Sequence, residues 1–126
     1  EKEEMEGIHG CCHKMIVEAC YCNNLRMRSC DVLVTKPSER AVYPVPKLFI
    51  RRLGKHEMWG AIHSAEVGDG TLECRDIPHT IQMLELFLKD DQFLIDMCHN
   101  IEINKVAGLY DGAYKVVELA MGLKNK

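Results

Sequence analysis

The stretch that decides the fold is residues 31–57, DVLVTKPSERAVYPVPKLFIRRLGKHE. Its two apolar segments, 31–35 and 47–52, have the length and the β-branched or aromatic content of buried strands. Each segment ends at a polar loop, 36–39 after the first and 54–57 after the second. Ligand sites in parallel α/β sheets lie outside the carboxyl ends of the strands. The two loops therefore predict a binding site.

The chain on either side of this stretch continues the alternation of strand and helix patterns. Residues 14–21 read as a strand upstream, and 71–74 as a short edge strand downstream. Helical patterns follow at 56–67, which Gly68-Asp69-Gly70 closes, from 77 to 88, from 91 to 101 and from 110 to 123. This alternation predicts an α/β fold: a parallel, Rossmann-like sheet of about four strands flanked by helices.

Helical spacing also predicts which residues of a helix share a face. In the helix that starts at Ile77, the residues expected to face the core are Ile81, Met83, Leu84 and Leu88. In the last helix, the residues predicted to share one face are Tyr114, Val117 and Met121.

Size and composition limit the classes of function. A chain of 126 residues is one domain; residues 1–13 read as an N-terminal helix or its remnant, and 14–126 as the core. The net charge of −3 argues against a nucleic-acid partner, which usually requires a basic excess. No apolar run approaches the roughly 20 residues of a membrane span, and no secretory signal is visible. We therefore expect a cytoplasmic protein.

The seven cysteines favour reduced thiols, because their number is odd and no secretory signal accompanies them. An alternative is a metal-binding or redox domain built from the N-terminal cluster of Cys11, Cys12, His13, Cys20 and Cys22. Zinc sites usually use separated pairs of ligands, whereas Cys20 and Cys22 would point to opposite faces of an extended segment. We therefore predict neither a metal site nor a cofactor.

Several short motifs occur in an order that is typical of one protein family. They are CDVLVTKP at 30–37, KHEMWGA at 55–61, VGDG at 67–70, LKD at 88–90, LIDMCHN at 94–100 and AYKVVELA at 113–120. In this order, residues 21–121 resemble the C-terminal, nucleotide-sugar-binding half of GT-B glycosyltransferases. The most similar members are the N-acetylglucosaminyltransferase of the cell-wall lipid precursor and the plant-type monogalactosyldiacylglycerol synthases.

The resemblance implies a UDP-sugar donor and a lipid or cell-envelope acceptor. It also implies an incomplete GT-B C-terminal domain, inactive alone, whose acceptor-binding, membrane-peripheral N-terminal half is absent. The family's Gly-Gly-x-Thr-x-x-Glu loop is replaced by KPSER at 36–40, and the usual Asn by Gly60. These departures favour the alternative of a non-catalytic binding or assembly module of the same fold.

The predicted substrate-binding residues lie in the two loops. Lys36, Ser38 and Glu39 supply a cation, a hydroxyl and backbone N–H groups that suit a diphosphate, although the same residues suit a simple helix-starting turn. His56 and Glu57 occupy the positions at which the family binds sugar hydroxyls; the alternative is an ordinary acidic helix N-terminus. No catalytic base is assigned.

Two further expectations concern the edges of the sheet. Arg51 and Arg52 end a predicted strand, where they could favour a diphosphate or simply be solvated. A sheet that lacks its first strands exposes an edge that a second copy could cover, which predicts a homodimer.

Overall fold

The computed structural model describes residues 7, 10, 12–38 and 42–124. Its elements, in chain order, are α1 (Ile16–Met27), β1 (Leu33–Thr35), β2 (Lys47–Phe49), a 3₁₀ turn (Lys55–Glu57) that leads into α2 (Met58–Val67), α3 (Ile77–Lys89), α4 (Asp91–Val106) and α5 (Gly112–Lys124). Over these ranges, no helix is both long and apolar enough to cross a bilayer.

The two strands within the deciding stretch form a parallel pair. Leu33 lies opposite Lys47, and Thr35 lies opposite Phe49. Within the described ranges the sheet has only these two strands, and the domain is mostly helical. The predicted Rossmann-like sheet of about four strands is therefore wrong, and with it the assignment as an incomplete GT-B C-terminal domain.

The first missing strand is replaced by a helix. Residues 14–21 were predicted as a strand because of the run Met15-Ile16-Val17, but α1 begins at Ile16. A short apolar run does not by itself distinguish a strand from a helix. Good helix formers such as Ala19 and Leu25 follow the run, and Glu18 and Arg26 suit the two ends of the helix dipole.

The second missing strand is an extended segment that runs beside β2. The N–H of Thr71 donates to Lys47 O (3.0 Å), and that of Cys74 donates to Phe49 O (2.8 Å). Between them, the N–H of Phe49 donates to the side-chain Oγ1 of Thr71 (3.1 Å), not to a backbone carbonyl. This interruption leaves a single parallel bridge, Lys47 to Gly70, in place of the predicted edge strand.

The core lies on both faces of β2. Leu48 packs with Cys74, Phe87 and Met97, all buried, on one face. Phe49, whose side chain points the opposite way, packs with Ala61 on the other. Strand β2 is thus covered on both faces, as is usual for strands of parallel sheets.

The turn that closes α2 is as predicted. Gly68 has a φ of +76°, the left-handed conformation that favours glycine after a helix. At Gly70, a Cβ atom would lie 3.1 Å from both Lys47 Cβ and the Phe49 ring, so the missing side chain allows the chain to approach β2 closely.

Helix α3 faces the core with a different stripe from the predicted one. Met83, Leu84 and Phe87 pack inward, which confirms Met83 and Leu84, but Ile81 is 50% exposed and Leu88 83% exposed. The prediction that Ile81 and Leu88 face the core is therefore wrong. In α5 the predicted face of Tyr114, Val117 and Met121 is exposed.

Candidate functional site

The two predicted loops meet at one edge of the sheet. Because β1 and β2 are parallel, their carboxyl ends open on the same side. There, Ser38, His56, Glu57 and Gly60 line a cavity of about 240 Å³, which we call the rim cavity. Lys36 joins this group through Glu57.

Four of the five sequence-predicted site residues are therefore brought together. The fifth, Glu39, lies outside the described residues.

Glu57 ties the two loops together. Its Oε1 accepts a hydrogen bond from Lys36 Nζ (2.5 Å), and its Oε2 accepts from the N–H groups of Leu53 (2.8 Å) and Gly54 (3.1 Å). The hydrogen bond from Lys36, followed by those from the Gly54 and Leu53 N–H groups, lowers the pKa of Glu57 to about 2. The carboxylate is thus ionised at neutral pH and held mainly by its own protein, so it positions the loops.

His56 is placed by the glycine before the 3₁₀ turn. A Cβ atom at Gly54 would lie 2.6 Å from the His56 ring Cε1, so only glycine lets the ring lie over this backbone. The ring is exposed and available to a ligand. Gly60, which stands where the resemblance expects Asn, adds no side chain to the cavity wall.

The rim cavity has the chemistry to bind hydroxyl or phosphate oxygens. The Ser38 hydroxyl and the His56 imidazole can each donate or accept a hydrogen bond, and Lys36 provides a cation. The 3₁₀ turn and α2 begin here, so their dipole favours an anion. The volume is below the roughly 300–1,000 Å³ of a complete small-molecule pocket and suits one part of a larger ligand.

The two arginines at the end of β2 have different environments. Arg52 Nη1 lies 3.4 Å from Glu73 Oε2, and the Arg52 N–H donates to Glu73 Oε1 (2.9 Å). Arg52 therefore links β2 to the segment beside it. Arg51 is exposed and lines a separate groove.

A second lysine–carboxylate pair lies at the amino end of the sheet, and the sequence analysis missed it. Lys47 Nζ is 2.8 Å from Asp69 Oδ2, and both side chains are fully buried. The ammonium is at ion-pair distance, but within the described residues it has no acceptor at a good hydrogen-bond angle. Desolvation lowers the pKa of Lys47, and Asp69 partly offsets this effect.

Polar side chains from three elements surround Asp69. Ser64 Oγ donates to its Oδ1, and the Tyr110 hydroxyl donates to its Oδ2 at 2.7 Å. Desolvation and the hydrogen bond to Asp69 raise the pKa of Tyr110. An acid between two glycines, just after a helix, was the sequence signal that could have revealed this network.

Two asparagines of α4 complete the end of α2. Asn100 Nδ2 donates to Gly68 O (3.2 Å), and Asn104 Nδ2 donates to Val67 O (2.9 Å). They satisfy backbone carbonyls that the helix end leaves without partners. Asn100 belongs to the motif LIDMCHN, so this motif has a structural role here.

The cysteines of the N-terminal cluster bear on the alternative of a metal or redox site. Cys20 and Cys22 lie two residues apart on α1, so they project from different sides of the helix. Over the described ranges, no group of three or more His, Cys, Asp or Glu residues is placed to hold a metal ion. Cys11 lies outside those ranges.

Comparison with known proteins identifies a family. Residues 1–121 match the model of a protein family described as a domain of unknown function, DUF6938. The chain belongs to this family. No curated protein and no solved structure matches the chain.

Proposed function

We propose that this domain binds a nucleotide sugar, a UDP-sugar, at the rim cavity. It would serve as the donor-binding portion of a cytoplasmic, membrane-peripheral glycosyltransferase that acts on a lipid or cell-envelope acceptor. One observation carries the proposal: the loops after two parallel strands are joined through Glu57 around a cavity lined by Ser38 and His56. This is where parallel α/β sheets place ligands.

Each residue at the rim cavity would have a role that follows from its chemistry. Ser38 and His56 would hydrogen-bond the hydroxyl groups of the sugar, because both can donate and accept. Lys36 would attract the diphosphate, helped by the dipole of the helix that begins at the 3₁₀ turn. Glu57 would hold Lys36 and the 53–54 backbone in place. The remaining walls of the site would come from another domain or a partner.

Calorimetric titration with a UDP-sugar tests the proposal. We expect binding that is weakened by Ser38→Ala and by His56→Ala, each by about fivefold to tenfold, the effect of one lost hydrogen bond. The matched control is His63→Ala. His63 is also an exposed histidine and lies on α2, but it does not line the rim cavity. Its affinity should be unchanged.

Two results would contradict the proposal. One is no heat of binding with any nucleoside diphosphate sugar at millimolar concentration. The other is binding that is equally strong in the wild type, Ser38→Ala and His56→Ala, since the ligand would then sit elsewhere.

A non-catalytic assembly module is the second candidate function. It is favoured by α5, whose apolar side chains are exposed: Tyr114 at 75%, Leu119 at 69% and Leu123 at 72%. A helix that is apolar on most sides is normally covered. Absence of UDP-sugar binding, together with self-association or assembly that is lost in Leu119→Asp, would favour this candidate.

A further inference from the structure

A second groove, of about 530 Å³, lies at the same edge of the sheet, between the end of β2 and the start of α3. We call it the α3 groove; its main lining residues are Ile50, Arg51, Arg75, Ile77, Pro78 and Ile81. Ile50 follows β2 directly, and Arg75 follows Cys74, whose N–H is bonded to Phe49 O. Its size is that of a pocket for a small molecule.

The walls of the α3 groove are apolar and open. Ile77 is 76% exposed, and Ile81, which was predicted to face the core, is 50% exposed. Ile50 adds a third branched aliphatic side chain. Apolar side chains grouped around a cavity mark a binding surface more often than apolar residues scattered singly.

Two cations stand beside these walls. Arg51 and Arg75 are exposed, and among the described residues neither guanidinium takes part in an ion pair, unlike Arg52, which pairs with Glu73. One carboxylate, Asp76, also lines the groove. Its Oδ1 accepts the N–H of His79 (2.9 Å) and caps α3.

Two guanidinium groups and one carboxylate leave the lining with an excess positive charge. Guanidinium groups bind phosphate and carboxylate through paired N–H donors.

We propose that the α3 groove binds a single-chain amphiphile with an anionic head group. The aliphatic chain lies against Ile50, Ile77 and Ile81, and the head group is held by Arg51 and Arg75. A free inorganic anion would leave the apolar walls open to water, and a neutral apolar molecule would leave both guanidinium groups without a partner. This proposal does not rest on the proposed UDP-sugar function.

Octyl phosphate, titrated as a monomer below its micellar concentration and followed by calorimetry, is the direct probe. We expect it to bind at least about tenfold more tightly than octyl glucoside, which has a neutral head, and than inorganic phosphate. Arg75→Gln and Arg51→Gln should each weaken octyl phosphate by about tenfold and leave octyl glucoside unchanged. Ile81→Ser should weaken both octyl ligands.

The matched controls replace exposed aliphatic and arginine residues that lie outside the α3 groove. Leu88→Ser removes an exposed aliphatic residue of α3 that does not line the groove, and Arg28→Gln removes an exposed arginine elsewhere. Both should leave octyl phosphate binding unchanged. All of the substituted residues are exposed, so their thermal unfolding should match the wild type, and any loss of binding can be assigned to the groove.

Four outcomes overturn the proposal. Equal binding of octyl glucoside means a neutral apolar pocket, and equal binding of inorganic phosphate means a simple anion site. No binding of octyl phosphate removes the site. Binding to vesicles that contain phosphatidic acid, without binding of monomeric octyl phosphate, means a membrane surface and not a groove for a single chain.

Discussion

Two lysine–carboxylate pairs lie at opposite ends of the strands, one at the carboxyl end and one at the amino end. They have the same chemistry and different surroundings. Lys36 and Glu57 join the carboxyl-end loops, with the Lys36 side chain 43% exposed and that of Glu57 8% exposed. Lys47 and Asp69 join the amino end of β2 to the turn after α2, and both are fully buried.

The difference indicates that burial distinguishes a pair that only stabilises the fold from a pair that a ligand can approach. The Asp69 carboxylate is enclosed by Lys47, Ser64 and Tyr110, so a ligand cannot reach it. The Lys36–Glu57 pair borders a cavity open to solvent, so it can position groups for a ligand. Four predictions test this contrast, from the largest expected effect to the smallest.

Removal of the buried carboxylate should have the largest effect. Asp69→Ala leaves the Lys47 ammonium buried without a counter-ion, which we expect to lower the free energy of unfolding by about 3–5 kcal/mol. Urea denaturation measures the loss. Asp31→Ala, at an exposed acid, is the control and should change stability by less than about 0.5 kcal/mol. A similar loss of stability in both variants would contradict a structural role for the Asp69 carboxylate.

The hydrogen bond from Tyr110 should have the next largest effect. Tyr110→Phe removes the donor to Asp69 Oδ2, which we expect to cost about 1.5 kcal/mol, the lower end of the range for a hydrogen bond to a charged group. Tyr114→Phe alters a tyrosine that is 75% exposed and should have no measurable effect. Identical denaturation midpoints for Tyr110→Phe and the wild type would exclude a stabilising role for this bond.

The Lys36–Glu57 pair should make the stability of the protein depend on pH. The folded-state pKa of Glu57, about 2, lies below its ordinary value of 4.5. Its stabilisation is therefore complete above about pH 4.5 and is lost as the pH falls through about 2. The denaturation midpoints of the wild type and Glu57→Gln should differ most near pH 7 and converge near pH 2. A difference that is constant across this range would be inconsistent with the lowered pKa.

Salt should produce the smallest effect. Raising the ionic strength from about 0.1 M to 1 M shortens the screening length from roughly 10 Å to 3 Å for exposed charges. In double-mutant cycles, the coupling free energy of Lys36 with Glu57 should fall by a few tenths of a kcal/mol, because Lys36 is half-exposed. The coupling of Lys47 with Asp69 should remain the same; an equal fall in both would mean that burial does not separate them.

The sequence predicted the parts of the fold that depend on local patterns. The apolar runs of β1 and β2, the loops that follow them and the turn at Gly68 have strong local signals, and the two loops do meet at one edge. The two wrong strands were decided by other contacts. Thr71 Oγ1 accepts the hydrogen bond of Phe49 that a third strand would have used, and α1 forms despite its β-branched start.

The sequence also did not reveal which polar side chains form hydrogen bonds with other groups of the protein. Glu57 read as a free acceptor for sugar hydroxyls, yet it accepts hydrogen bonds from Lys36, Leu53 and Gly54. Those donors lie 21, 4 and 3 residues away, and their convergence depends on how the two loops pack. Residue type and position predicted residues that line the rim cavity, but only the geometry showed that Glu57 positions the two loops.

The most direct test of the rim site is an ¹H–¹⁵N NMR titration of the full chain with a UDP-sugar. We predict saturable shifts of the backbone amides of Lys36, Ser38, His56 and Gly60, with little change at Lys47, Asp69 and Tyr110. Shifts confined to the Lys47–Asp69 end, or no shifts at millimolar ligand, would contradict the assignment of the carboxyl edge as the binding site.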